Sequence, residues 1–204
     1  MDKKNLLVFS VGNPGRSNRH SAGHLGLKYL MEQTQCKQLV KPSSKSVYSM
    51  SKCETCTFVK STVYMNESAR ALKLVMDDER LSLNQWNIVV VYDDFETNLG
   101  TVKLAEFKKN ESHNGIKSIK NFVASLNVDC SVFKLGIGIG PKPANSTKES
   151  MATWVLSPFN QAELQLLQST SFPTLYIYIH TIEDSDFINV NKLNATVKRL
   201  IQNS

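Results

Sequence analysis

Nowhere in the 204 residues do apolar side chains run on for the roughly 20 positions that a bilayer-spanning helix needs, which argues against a helical membrane span. Cysteine is scarce. Cys36, Cys53, Cys56 and Cys130 are too few for a dense disulfide framework in a chain this long. Cys53-Glu54-Thr55-Cys56 has the spacing of half a zinc site, yet no second cysteine pair or paired histidines complete four ligands. The stretch is read as a polar hairpin turn flanked by thiols, and no metal or other cofactor is expected. Glycines alternate at Gly136, Gly138 and Gly140, but Pro141 and Pro143 follow where a dinucleotide fingerprint would open a helix. There is no internal repeat and no low-complexity tract. Met1-Asp2-Lys3-Lys4 runs directly into an apolar stretch, leaving no room for a cleavable signal. A cytoplasmic protein is expected, and such a start also allows the mitochondrial matrix.

What is present suits one α/β domain with a sizeable core: 41% hydrophobic and 21% charged residues, the balance of an ordinary globular chain. A net charge of +6 hints at a polyanionic partner, though surplus lysines also simply solvate a surface.

Five of the six residues from Leu6 to Val11 are apolar, as in a strand buried on both faces of a parallel sheet. Gly12-Asn13-Pro14-Gly15 stops that strand, so Asn13 and His20 ride on the loop leaving its carboxyl end, where open α/β sheets place ligands. A helix follows from Ser21 to about residue 33. Residues 47–50 and 57–63 read as strands around the cysteine turn, and a second helix starts at Asn66. Ile88-Val89-Val90-Val91 marks a buried strand that delivers Tyr92-Asp93-Asp94 to the same sheet edge, with residues 94–100 as a turn. Residues 102–104 form a short half-exposed strand, a third helix begins near His113-Asn114-Gly115, and residues 132–139 form another strand. Residues 141–150 read as a loop, Trp154-Val155-Leu156 precedes a helix from about Asn160, and the tail from Asn191 is a final amphipathic helix. Residues 175–181 alternate like a strand.

The polar landmarks occur in a recognisable order. Gly12-Asn13-Pro14-Gly15, Arg19-His20-Ser21-Ala22-Gly23, Tyr64-Met65-Asn66-Glu67-Ser68, Asp93-Asp94 before Gly100, and His113-Asn114-Gly115 resemble the bacterial-type peptidyl-tRNA hydrolases. So do Leu135-Gly136-Ile137-Gly138-Ile139-Gly140 and Trp154-Val155-Leu156. The resemblance covers residues 6 to about 168 well and the tail loosely. It implies a mixed, mostly parallel sheet with helices on both faces, and a helix near residues 175–182 in place of the strand that alternation suggests. It further implies hydrolysis of the ester joining a peptide to the terminal ribose of tRNA, which recycles tRNA during translation.

The residues suit that chemistry. His20 is the side chain best matched to general-base work near neutral pH. Asp93 can accept its other N–H, fix the tautomer and stabilise the imidazolium. Asn66 offers an amide to orient water or the developing oxyanion. Asn13 and Asn114 are expected to hold the terminal adenosine and first peptide unit, with Tyr64 and Met65 lining the cleft. For tRNA phosphates the candidates are Lys103, Lys108, Lys109, Lys117 and Lys134, the last standing where the family has a basic residue contacting the tRNA end phosphate. His113 is read as a structural or rim residue. The chain also departs from the family: residues 105–112 replace a glycine-rich stretch, Ser21 replaces an asparagine, and Tyr92 replaces a histidine.

Taken singly, His20, Asp93 and the asparagines are ordinary turn and cap residues; jointly they fall at loop entries of one sheet. The main alternative is a non-catalytic RNA-binding or splicing-factor relative of the same fold. A maturation protease of related topology lacks its acidic and histidine metal contacts here. A monomer is expected, because no coiled coil or long apolar surface helix is apparent.

Overall fold

The computed structural model describes residues 4–15, 18–126, 132–185 and 188–203. Six strands form one sheet: β1 (Asn5–Ser10), β2 (Tyr48–Lys52), β3 (Cys56–Ser61), β4 (Trp86–Asn98), β5 (Val102–Ala105) and β6 (Val132–Gly140). Their spatial order is β2-β3-β1-β4-β6-β5. β3, β1, β4 and β6 run parallel to one another, while β2 and β5 are antiparallel edges. The helices are α1 (Ala22–Gln33), α2 (Ser68–Asp78), α3 (Asn114–Ser125), α4 (Lys148–Val155), α5 (Gln161–Leu166), α6 (Phe172–Glu183) and α7 (Val190–Gln202).

Strand periodicity builds two cores. Leu6 and Val8 of β1 face one side with Val89 and Val91 of β4, packed by α1, α6 and α7. Leu7 and Phe9 face the other with Ile88, Val90 and Tyr92, packed by α2 and α3. The interior strands therefore read as continuous apolar runs because both faces are covered. At the β5 edge, Asn194 of α7 donates to the Leu104 carbonyl at 2.9 Å and accepts its N–H at 3.3 Å, while Tyr178 donates to Asn194 at 2.6 Å.

Three local expectations are corrected, and one ambiguity is resolved: residues 175–181 belong to helix α6, as the family resemblance implies, and not to the strand that alternation suggests. Leu175, Tyr178, Ile179 and Ile182 are buried at helical spacing, but half-buried Tyr176 and Ile177 between them make the sequence look alternating. The expected turn after Asp94 is an extension of β4 to Asn98, with a register shift against β6 between Asp94 and Asn98. Gly138 makes that close return possible, since a Cβ there would lie 2.0 Å from the Asn98 carbonyl oxygen. The loop expected over residues 141–150 gives way at Lys148 to α4, which contains Trp154 and is capped by Thr147 accepting from the Ser150 N–H. Lastly, Cys53 does not remain a thiol beside Cys56; it is disulfide-bonded to Cys36 beyond the end of α1, and Cys56 is the free, buried one.

Candidate active site

The carboxyl ends of β1 and β4 lie side by side, because β1 pairs with β4 through Ser10 and Val91. The chain leaving β1 turns through residues 12–15 and re-enters as a single tight turn, Arg19–Ser21, ahead of α1. Arg19 clamps that turn. Its guanidinium meets both Glu163 oxygens at 2.8 and 2.9 Å, donates to the Ser157 hydroxyl, and lies about 5 Å over the Trp154 and Phe159 rings. His20 is thereby presented across the sheet end to Asp93.

Asp93 is fully buried and is the hub of the site. Being ionised, its carboxylate can only accept, so the His20 Nδ1–H donates to Oδ2 at 2.7 Å and the His113 Nε2–H donates to Oδ1 at 3.2 Å. Burial alone would raise its pKa. The charges and hydrogen bonds of His113 and His20 outweigh that and hold the carboxyl at about 2, so it stays ionised near neutral pH. Both tautomers follow. His20 carries a proton on Nδ1, so in its neutral form the lone pair is on Nε2. His113 carries its proton on Nε2 and uses Nδ1 to accept the Ile116 N–H at 3.3 Å, capping α3. His113 is packed between Tyr92, Phe95 and the His20 ring.

His20 opens on a cleft of about 470 Å³ lined by Met65, Asn66, Phe95, His113 and Asn114, with Lys142 and the start of α4 opposite. Met65 and Asn66 come from a tight turn, Met65–Glu67, that leads into α2. Asn13 supports it from behind, accepting the Met65 N–H at 3.0 Å. Gly115 lets α3 lean directly on Met65: a Cβ would lie 2.6 Å from its Sδ and 2.9 Å from its carbonyl oxygen. That close approach places the Asn66 and Asn114 amides on one rim. A larger cavity, about 750 Å³, opens on the far side of the 12–15 turn, lined by Asn13, His24, Met31, Leu39 and Lys60. It lacks a carboxylate-oriented imidazole.

The structure thus brings His20, Asp93, Asn66, Met65 and Asn114 together. Asn13 stands behind the cleft as a backbone support, and Tyr64 is 67% exposed and outside its lining. Lys103, Lys109 and Lys117 are exposed, while Lys108 is paired with Glu96 at 3.2 Å. Lys134 departs most from expectation. Its ammonium is enclosed and bound to both Glu111 oxygens at 2.6 and 2.7 Å, because residues 106–113 fold over it. Sequence reasoning missed the His113 bond to Asp93, the Arg19 clamp, and Lys142 and Lys148 on the cleft wall. Only the adjacency of His113 to Asn114 pointed to any of them. His20, Asp93 and His113 also hold three potential metal-ligating atoms within 4.8 Å of one another. The tautomers above are those of a hydrogen-bonded relay, and a metal on His113 Nε2 would need the lone pair that its α3 cap places on Nδ1.

Comparisons with known proteins agree with this arrangement. The family model for peptidyl-tRNA hydrolase matches residues 7–199. A peptidyl-tRNA hydrolase of Mycoplasma capricolum is 32% identical over 80% of this chain and 86% of its own length. A probable peptidyl-tRNA hydrolase of Schizosaccharomyces pombe is also 32% identical, over 81% of this chain and 77% of its own. Among solved structures, the peptidyl-tRNA hydrolase of Acinetobacter baumannii shares the fold with a TM-score of 0.71 at 21% identity, covering 89% of each chain. A single α/β sheet carrying a carboxylate-oriented histidine at its strand ends, together with these matches, shows that the chain belongs to the peptidyl-tRNA hydrolase family.

Proposed function

We propose that this chain hydrolyses the ester between a peptide and the 3'-terminal ribose of tRNA, with His20 as general base and Asp93 as its orienting carboxylate. One observation carries the reading: the 2.7 Å bond from His20 Nδ1 to a fully buried Asp93, which leaves Nε2 as the lone-pair nitrogen at the open cleft. Water held at Nε2 gives up a proton as its oxygen bonds to the ester carbonyl carbon. Asp93 stabilises the imidazolium formed in that step. The Asn66 amide, with Asn114 across the rim, supplies a donor for the oxyanion and a grip on the substrate. As the tetrahedral intermediate collapses, the carbon–oxygen bond to the ribose breaks and His20 returns its proton to the leaving hydroxyl.

Exposed Lys103, Lys109 and Lys117, together with Lys142 and Lys148 beside the cleft, are assigned to the tRNA backbone. The non-catalytic RNA-binding alternative is not favoured, because the imidazole–carboxylate pair is complete and the family match is to hydrolases. A monomeric working unit is part of this reading; light scattering should give the mass of one chain at all concentrations. Among the described residues no helix is long and apolar enough to cross a membrane.

The test follows release of N-acetylamino acid from N-acetylaminoacyl-tRNA while uncharged tRNA binding is monitored. His20→Ala should lose about 10²–10⁴ in kcat and keep its tRNA affinity. Equal turnover by the variant would remove His20 from the chemistry, and tRNA binding without turnover by the unaltered protein would favour the RNA-binding relative.

A further inference from the structure

Lysine at the centre of an interior strand is costly, since an ammonium withdrawn from water must be paired. Lys134 sits between Phe133 and Leu135 on β6, its side chain 3% exposed, and the Glu111 side chain that meets it is 5% exposed. The contact is bidentate at 2.6 and 2.7 Å, with the Tyr92 ring 6.0 Å from the ammonium. Glu111 is not on a rigid element; it belongs to the loop between β5 and α3. The same carboxylate accepts the Lys108 backbone N–H, closing that loop on itself. A second carboxylate, Glu96 of β4, holds the loop from its other side through the Ser112 hydroxyl at 2.8 Å and the Lys108 ammonium at 3.2 Å. Two residues beyond Glu111 stands His113, bonded to Asp93 and capping α3, and then Asn114 on the cleft rim.

We infer that the buried Glu111–Lys134 pair is a positioning strut for the hydrolytic site: it fixes the loop end so that His113 meets Asp93 and Asn114 meets the substrate. This inference rests on the hydrolase reading above. It makes Lys134 a partner of the protein's own loop, set apart from the exposed lysines that face tRNA. A cavity of about 250 Å³ lined by Lys103, Lys108, Glu111 and Lys134 adjoins the pair, and a phosphate entering it would have to compete with the Glu111 carboxylate for the Lys134 ammonium. In a loop with a single glycine-free run from Ala105 to Asn114, the ion pair does the fixing that backbone packing alone does not supply.

The experiment compares the unaltered protein with Glu111→Gln, Lys134→Met and the apolar pair Glu111→Leu/Lys134→Met. Three quantities are read: kcat on N-acetylaminoacyl-tRNA, Kd for uncharged tRNA, and hydrogen exchange at the Ile116 amide that His113 caps. Each single variant should lower kcat by about 10- to 100-fold, the scale of a small misplacement of reacting groups, with Kd held within about twofold. The Ile116 amide should exchange faster in both. The apolar pair fills the same buried space without a stranded charge, so it should fold and recover most of kcat and of the exchange protection. It keeps the test decisive if a single variant unfolds. Tighter tRNA binding by Glu111→Gln with undiminished kcat would overturn the strut, making Lys134 a phosphate site screened by Glu111. Unchanged Ile116 exchange would overturn it whatever the activity. If the unaltered protein shows no turnover, the hydrolase reading fails, and the exchange measurement still decides whether the strut holds His113.

Discussion

Replacing Asp93 with asparagine changes one atom and interrogates the whole relay. The carboxylate accepts from two imidazoles at once, at 2.7 Å from His20 and 3.2 Å from His113. An amide has one accepting oxygen and one donating NH₂, so one histidine must turn its proton to its other nitrogen. If that is His113, its new Nδ1–H faces the Ile116 N–H in a buried place, and two stranded donors cost about 1–3 kcal/mol. If it is His20, the proton moves to Nε2, where the cleft supplies acceptors at little cost. The His20 flip is therefore preferred by about 1–3 kcal/mol, leaving the productive tautomer in between about one in six and one in 150 molecules. The variant also loses the negative charge beside the forming imidazolium, which takes the combined loss toward about 10⁴ in kcat. Single-turnover hydrolysis of N-acetylaminoacyl-tRNA near neutral pH measures it. A loss smaller than about fivefold with unchanged exchange at Ile116 would refute the relay. A small loss accompanied by faster exchange at Ile116 would show that His113 yields first, reversing the ranking of the two tautomers.

Two further outcomes follow from close packing and burial. His24, whose Nδ1 meets the Ser10 hydroxyl at 2.9 Å, is held down from 6.5 to about 4, first by burial and then by Lys60. The unfolded chain takes up that proton at higher pH than the folded one, so this stability is complete above about pH 6.5 and drains away by about 3 kcal/mol as pH falls to 4. Urea titrations of His24→Gln should show a flatter stability profile across that window, and parallel profiles would exclude His24 as the cause. Gly115→Ala puts a Cβ against Met65 Sδ and its carbonyl oxygen; the thioether can move but the backbone cannot. It should cost about 1–3 kcal/mol in thermal unfolding and lower kcat by more than about tenfold, and a neutral result in both would show that α3 does not need this approach.

Much of the candidate site was legible because it sits at strand ends. The apolar runs of β1 and β4 announce themselves, and whatever follows them lands at one sheet edge, which is how His20 and Asp93 could be placed together, whereas Asn66 and Asn114, which follow β3 and the loop after β5, were named through the family resemblance. What stayed hidden depends on contacts between distant segments. Nothing near His113 states that its Nε2 meets Asp93, since that contact is made only when residues 106–113 fold back. Lys134 and Glu111 lie 23 positions apart, and Arg19 and Glu163 lie 144 apart. Their pairing is decided by the packing of whole elements. Periodicity alone hides helix α6, which the family resemblance implied, for a different reason: its flanks are nearly as apolar as its buried face, so the helical period is blurred.

Asn194 has a consequence for the chain in a crowded solution. An outermost strand offers free N–H and C=O groups to any other extended chain, a template for association. At Leu104 both groups are taken by one amide from α7, itself held by the Tyr178 hydroxyl. A chain ending before Val190 would bare that rim of the sheet together with the core face that Leu193 and Val197 cover, and it should self-associate. The last helix acts as a stopper.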